Sequence, residues 1–313
     1  MIGHKDVYQQ FETLRQKEAL HHAYCIVGAP HVGKKTLAKT IAATLLDTTK
    51  DALSVHPDFY ILSQEKNLKT GKTKKNIDVT QIREMRQVIG QYASMKGYKI
   101  VIIDGAEKMN IHASNALLKT IEEPTQKTIF FLLTYDDTQL LATIRSRCHT
   151  VYLHEVATKE IEDALKKEGY DGLVEEMARF ARGCPGQAMR WAKDPDSFDE
   201  YKQEVRRFLS LIHAPLYKKI AATDELFGDK SDHILTRESL IRVLDIWLLI
   251  IRDMSLIATN NDLEYNIHQF PKSVVLPKKA IIDIAEHIFT TKTLLRQNIH
   301  PRLSVEQILL AIP

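Results

Sequence analysis

The sequence has 313 residues, 44% of them hydrophobic and 27% charged, with 43 basic against 40 acidic side chains and a net charge of +3. That length points to two or three separately cored domains, and the near balance of charge argues against a strongly polarised nucleic-acid binder, so any DNA contact must be local. Cys25, Cys148 and Cys184 lie far apart with no CxxC pair, which argues against a disulfide framework and a four-cysteine zinc site and fits a reducing cytoplasm. The opening stretch has no apolar run like a signal peptide's, and the most apolar segment, 240–258, is broken by Arg242, Asp245, Arg252 and Asp253. It reads as a core helix, and no membrane contact is expected.

Along residues 1–153, short apolar runs alternate with helical patterns. Strands are expected at Tyr24–Val27, Phe59–Leu62, Ile100–Ile103, Ile129–Leu133 and Val151–Leu153, and helices at Lys34–Leu46, Thr80–Gln91 and Lys108–Ile121. This alternation predicts an α/β domain with a mostly parallel sheet. Past about residue 155 the strand signals stop. Short helices are predicted at 158–168, 171–181 and 186–194, joined by turns at Gly169 and Gly183–Gly186, and longer ones at 200–213, 236–259, 277–297 and 303–312, interrupted by the polar stretch Thr259–Gln269. The division expected is an α/β domain over 1–154, a small helical domain over 155–198 and an all-α domain over 199–313.

Residues Gly28-Ala29-Pro30-His31-Val32-Gly33-Lys34 form a GxxxxGK phosphate loop between a strand and a helix. In such a loop, backbone N–H groups close around phosphate oxygens, the helix N-terminus adds partial positive charge, and the lysine reaches the outer phosphates. The next position, where Ser or Thr places a hydroxyl on Mg²⁺, is Lys35, and Thr36 comes one residue late; no metal is expected. Asp104 ends the apolar run Ile100–Ile103, where a carboxylate would face the loop, and it also suits a strand-end turn. The following position, where a water-activating acid would stand, is Gly105, and Glu107 is assigned no such role.

The stretch Asn115-Ala116-Leu117-Leu118-Lys119-Thr120-Ile121-Glu122-Glu123-Pro124, followed by Ser146-Arg147-Cys148, resembles the clamp-loader branch of the AAA+ ATPases. Within that branch the non-motor members are the nearest likeness, through Leu20–Tyr24, His56-Pro57-Asp58, Ile77–Arg83 and Asn298–Leu303, so that nearly the whole chain is covered. The resemblance implies a P-loop domain, a helical lid and a helical collar that oligomerises. It implies that Arg147 acts in a neighbouring subunit's nucleotide site, where a planar guanidinium meets γ-phosphate charge; a salt-bridged surface arginine is the alternative. Gly28, Gly33, Lys34, Lys35, Thr36, Asp104 and Thr134 become the nucleotide-facing set, Thr134 as a polar sensor or a structural strand end. The lid arginine of motor subunits would fall at Gly186, with Arg190 a helical turn later. The interval that carries zinc cysteines in motor subunits holds only the lysine-rich Glu65–Asn76 here, so no zinc is expected. Those lysines suit a solvated hairpin tip, or DNA phosphates as the alternative.

No cofactor is required on this reading, although weak ATP or ADP binding is compatible with Lys34. The implied partners are clamp-loader motor subunits of the gamma/tau type and a delta-type subunit, with the sliding clamp and primed DNA reached through the complex. An active motor subunit is a first rival, against which Lys35 and Gly105 speak, and a DNA-binding module on an inactive scaffold is a second. Helix 240–258 is apolar over more than one face, which suits burial against a neighbouring subunit or, equally, a core within its own domain.

Overall fold

The structure is a computed structural model. It describes all residues except 66–73, 75, 91–96, 124–126, 228–232, 261–274 and 297–300. Most of the lysine-rich stretch, the polar stretch after residue 260, Pro124 and the Asn298–His300 part of the resemblance therefore lie outside the described residues. The chain divides into two compact units, Met1–Ala192 and Lys193–Pro313.

The first unit is built on a five-stranded sheet. Its strands are β1 (Ala23–Val27), β2 (Phe59–Leu62), β3 (Lys99–Asp104), β4 (Thr128–Thr134) and β5 (His149–Tyr152), in the order β2-β3-β4-β1-β5. Every pairing is parallel. The inner strands are apolar without interruption because both faces are covered. Cys25, Val27, Val101, Ile103, Phe130 and Leu132 pack into one core with α3 (Val79–Gly90) and α4 (Ile111–Glu122). Tyr24, Ile26, Ile100, Ile102, Phe131 and Leu133 pack into the other with α1 (Lys5–Gln16) and α2 (Lys34–Leu45). The period-two alternation of side chains thus feeds two cores from one set of strands. The α/β class expected from the sequence is the one observed.

Two expectations in this unit shift. The last strand is His149–Tyr152, two residues earlier than the apolar run Val151–Leu153, because β5 pairs only with β1 and its residues are half-buried or exposed. Leu153 still bonds to the sheet through its N–H on the Val27 carbonyl at 2.7 Å. The helix expected from Lys108 starts at Ile111, after a single 3-10 turn over Ala106–Lys108, because Asn110 caps it by accepting the Ala113 N–H at 2.8 Å. The short helix α5 (Ala142–Arg145) leads into β5, and α6 (Thr158–Lys167), α7 (Val174–Phe180) and α8 (Pro185–Lys193) follow.

The second unit is helical: α9 (Pro195–Leu211), α10 (Leu216–Phe227), α11 (His233–Asn260), α12 (Lys278–Arg296) and α13 (Pro301–Ala311). Leu240, Leu244, Trp247, Ile251, Met254 and Ile257 of α11 are buried, and α11 packs against α9 and α12. Among the described residues no helix is long and apolar enough to cross a membrane.

Candidate functional site

The site forms at the carboxyl ends of the strands, where open parallel sheets bind ligands. The tip of β4 receives both flanking segments: the Gly28 N–H donates to the Thr134 carbonyl at 3.2 Å and the Gly105 N–H to the Leu133 carbonyl at 3.1 Å. The phosphate loop, Asp104 and Thr134 are thereby brought to one edge. Gly33 caps α2 with φ of 117°, a backbone state that side chains resist. Thr134 is buried, and its hydroxyl is spent on its own turn, donating to the Asp136 carbonyl at 2.9 Å and accepting the Asp136 N–H at 3.1 Å.

Both loop lysines are engaged within the chain. The Lys34 ammonium donates to the carbonyls of Gly28 at 2.6 Å and Ala29 at 2.9 Å. Burial holds its pKa below the ordinary lysine value, against the opposing negative charges of Glu107 and then Asp104. Glu107, given no role from the sequence, thus belongs to the electrostatics of the loop. The Lys35 ammonium lies 3.0 Å from Asp104 Oδ2. Thr36 is exposed on α2, about 100° of helix beyond Lys35. A Mg²⁺ at a phosphate loop of this kind requires a hydroxyl at position 35 beside a free carboxylate, and an ammonium already paired with that carboxylate does not fit it.

The loop also meets the first turn of α8. The Gly186 N–H, in the first turn of α8, donates to the His31 carbonyl at 2.9 Å. A Cβ on Gly186 would lie 2.8 Å from that oxygen and 3.3 Å from His31 Cα. Any side chain at 186 must therefore push the loop and helix apart. The imidazole of His31 is lowered in pKa, first by burial and then by the positive charges of Arg190 and Lys34, which places Arg190 in the field of the loop. His4, another residue without a sequence signal, meets the Val32 carbonyl through Nε2 at 2.9 Å. Gly186→Ala is expected to destabilise the chain by about 1–3 kcal/mol, read as a lowered melting temperature; an unchanged melt would mean that loop and helix are free to separate.

Arg147 sits on the turn between α5 and β5. Its Nη2 lies 2.7 Å from Glu122 Oε1 at the end of α4, and its Nη1 donates to the Thr143 carbonyl at 3.0 Å. Ser146 Oγ donates to the same carbonyl at 3.1 Å, so the Ser-Arg pair satisfies the exposed end of α5. Cys148 packs against the core beneath, and burial pushes its thiol up to about 11, far from a reactive thiolate. Arg145 approaches Asp137 at 4.0 Å.

A family model described as DNA polymerase III, delta subunit, matches residues 3–157. The chain is 36% identical to the DNA polymerase III subunit delta-prime of Pseudomonas aeruginosa over 182 residues, covering 54% of this chain and 50% of that one. The chain belongs to the delta-prime family of clamp-loader AAA+ proteins. It is 32% identical to the delta-prime subunit of Escherichia coli over 186 residues, covering 54% of each. The chain thus spans about half the length of the curated relatives it matches. A solved gamma subunit-related protein of DNA polymerase III from Thermotoga maritima aligns over 96% of this chain and 97% of its own, at 18% identity and a TM-score of 0.49.

Gly28, Gly33, Lys34, Lys35, Asp104 and Thr134 stand at one sheet edge, while Arg147 is held at the surface by Glu122 and Thr143.

Proposed function

We propose that this chain is a non-motor, stator-like subunit of the bacterial DNA polymerase III clamp loader. It places Arg147 in the nucleotide site of a neighbouring ATPase subunit and helps load the sliding clamp onto primed DNA during replication. Its partners on this reading are motor subunits of the gamma/tau type and a delta subunit, with residues 155–198 acting as lid and 199–313 as collar. The observation that carries the reading is the setting of Arg147. Its side chain is 39% exposed, and Glu122, Thr143 and Ser146, which hold it, are outside the chain's own phosphate loop. A guanidinium presented this way is available to charge arriving from outside the chain, which is how a trans arginine serves phosphoryl transfer.

The chain's own pocket supports the accessory role. Gly105 stands where the water-activating acid belongs, Lys35 replaces the metal-binding hydroxyl, and Gly186 leaves no room for a lid arginine. Without those groups a retained loop lysine gives at most weak ATP or ADP binding, and no zinc is required. The purified chain alone is expected to hydrolyse ATP no faster than buffer, and to co-purify with a motor subunit in an assembly of defined mass. Metal-dependent hydrolysis by the lone chain, abolished by Lys34→Ala, would sink this reading in favour of a motor subunit.

A further inference from the structure

We propose that Lys35 supplies, from within the chain, the positive charge that a divalent cation supplies in hydrolysing relatives, and that this one side chain keeps metal out of the pocket. The inference rests on the accessory reading above. A metal at a phosphate loop is held between a hydroxyl one residue after the loop lysine and a carboxylate at the end of the neighbouring strand. Here the carboxylate is in place: Asp104 ends β3, whose neighbour β4 bonds to the loop through Gly28. Position 35 carries an ammonium instead, with Nζ 3.0 Å from Asp104 Oδ2.

An ammonium has three donors and no acceptor, so it cannot ligate a hard cation. A divalent ion approaching Asp104 must displace Lys35 from the carboxylate and then tolerate its charge a few ångströms away, where like charges repel strongly. The side chains of Lys35 and Asp104 are 48% and 34% exposed. A pair so open to water contributes little to folding. The same exposure means that Lys35 can be replaced without disturbing the core. Asp104 is kept where a metal would use it, and the remaining defect on the metal side is a single residue.

The probe is Mn²⁺ with ADP, its binding to the isolated full chain followed by electron paramagnetic resonance. The unaltered chain is expected to bind no Mn²⁺ beyond what ADP holds in buffer. Lys35→Thr should bind Mn²⁺ with ADP about tenfold or more tightly than ADP alone holds it in buffer, and adding Asp104→Asn to it should abolish the gain. Lys35→Ser serves as a second variant, with melting curves showing that each is folded. Stoichiometric Mn²⁺ on the unaltered chain would overturn the proposal. So would folded Lys35→Thr and Lys35→Ser variants that still bind none, since the loop itself would then exclude the metal. The assay never involves Arg147 or a partner subunit, so its failure leaves the trans-arginine reading standing, and failure of that reading leaves this one.

Discussion

Replacing Arg147 with alanine is expected to lower ATP turnover by the reconstituted clamp-loader assembly by on the order of 10³-fold, while the chain keeps its fold and its place in the complex. The size follows from the chemistry: a guanidinium delivered in trans meets charge that develops on the transferring phosphoryl group, and its loss removes stabilisation made mainly in the transition state. The loss should therefore fall on kcat and kcat/KM alike, with little change in KM. The fold is spared because the side chain is exposed and its ion pair with Glu122 is of the surface kind, worth about 0–1 kcal/mol. Arg147→Lys should not rescue the rate, since a point charge lacks the planar fork. Steady-state ATPase with clamp and primed DNA, beside a mass measurement of the assembly, checks both halves. Turnover within twofold of the unaltered assembly would leave Arg147 as an ordinary surface ion pair.

The legibility of the sequence followed the physics of burial. The inner strands could be read because both faces of the sheet are covered, so that β1, β3 and β4 run apolar without a break. The edge strand β5 was displaced by two residues because His149 and Thr150 have no need to be apolar where a strand has one neighbour. Helix α10 left no signal, and its burial explains why. Lys219 and Thr223 face inward, with Lys219 donating to the Ile312 carbonyl, while Leu216, Tyr217 and Ile220 are exposed. The largest apolar side chains of its first turns thus lie outside, and the inward face mixes Ala222 with Lys219 and Thr223, so no clear apolar stripe marks the helix. Helix α1 was missed for a related reason: Phe11 is the one fully buried residue among those it carries.

The candidate site divides in the same way. Gly28, Gly33 and Lys34 could be found because a strand, loop and helix encode them locally, and Asp104 because it ends an apolar run. The contacts that give the pocket its character have no local code. Lys35 reaches Asp104, Gly186 reaches His31, and Arg147 reaches Glu122, each across a long stretch of chain. Sequence spacing named several of these residues, and only the fold says which of them meet.

In the helical unit, Trp247→Phe is expected to destabilise the chain by about 2–4 kcal/mol at neutral pH, and the loss should depend on pH. Trp247 is fully buried; its indole N–H donates to Glu204 Oε1 at 2.7 Å, and its ring lies 5.4 Å from that of Phe208. Glu204 is itself buried, with Arg207 Nη1 on its other oxygen at 2.9 Å. Burial raises the Glu204 pKa above its ordinary value, outweighing the opposing effects of Arg207 and then Trp247. The folded chain therefore binds this proton more readily than the unfolded chain, whose carboxyl titrates near about 4.3. The contribution of Glu204 to stability is then greatest below that pH and falls as pH rises through the folded value. Phenylalanine keeps most of the ring packing but removes a donor that favours the carboxylate, so its deficit should be larger at pH 7 than at pH 4 by about 1 kcal/mol, the difference between a charged and a neutral acceptor. Denaturant titrations of both proteins at the two pH values, followed by circular dichroism, measure that difference. A deficit independent of pH would mean that the indole supports packing alone, and that the charge on Glu204 is held by Arg207 without it.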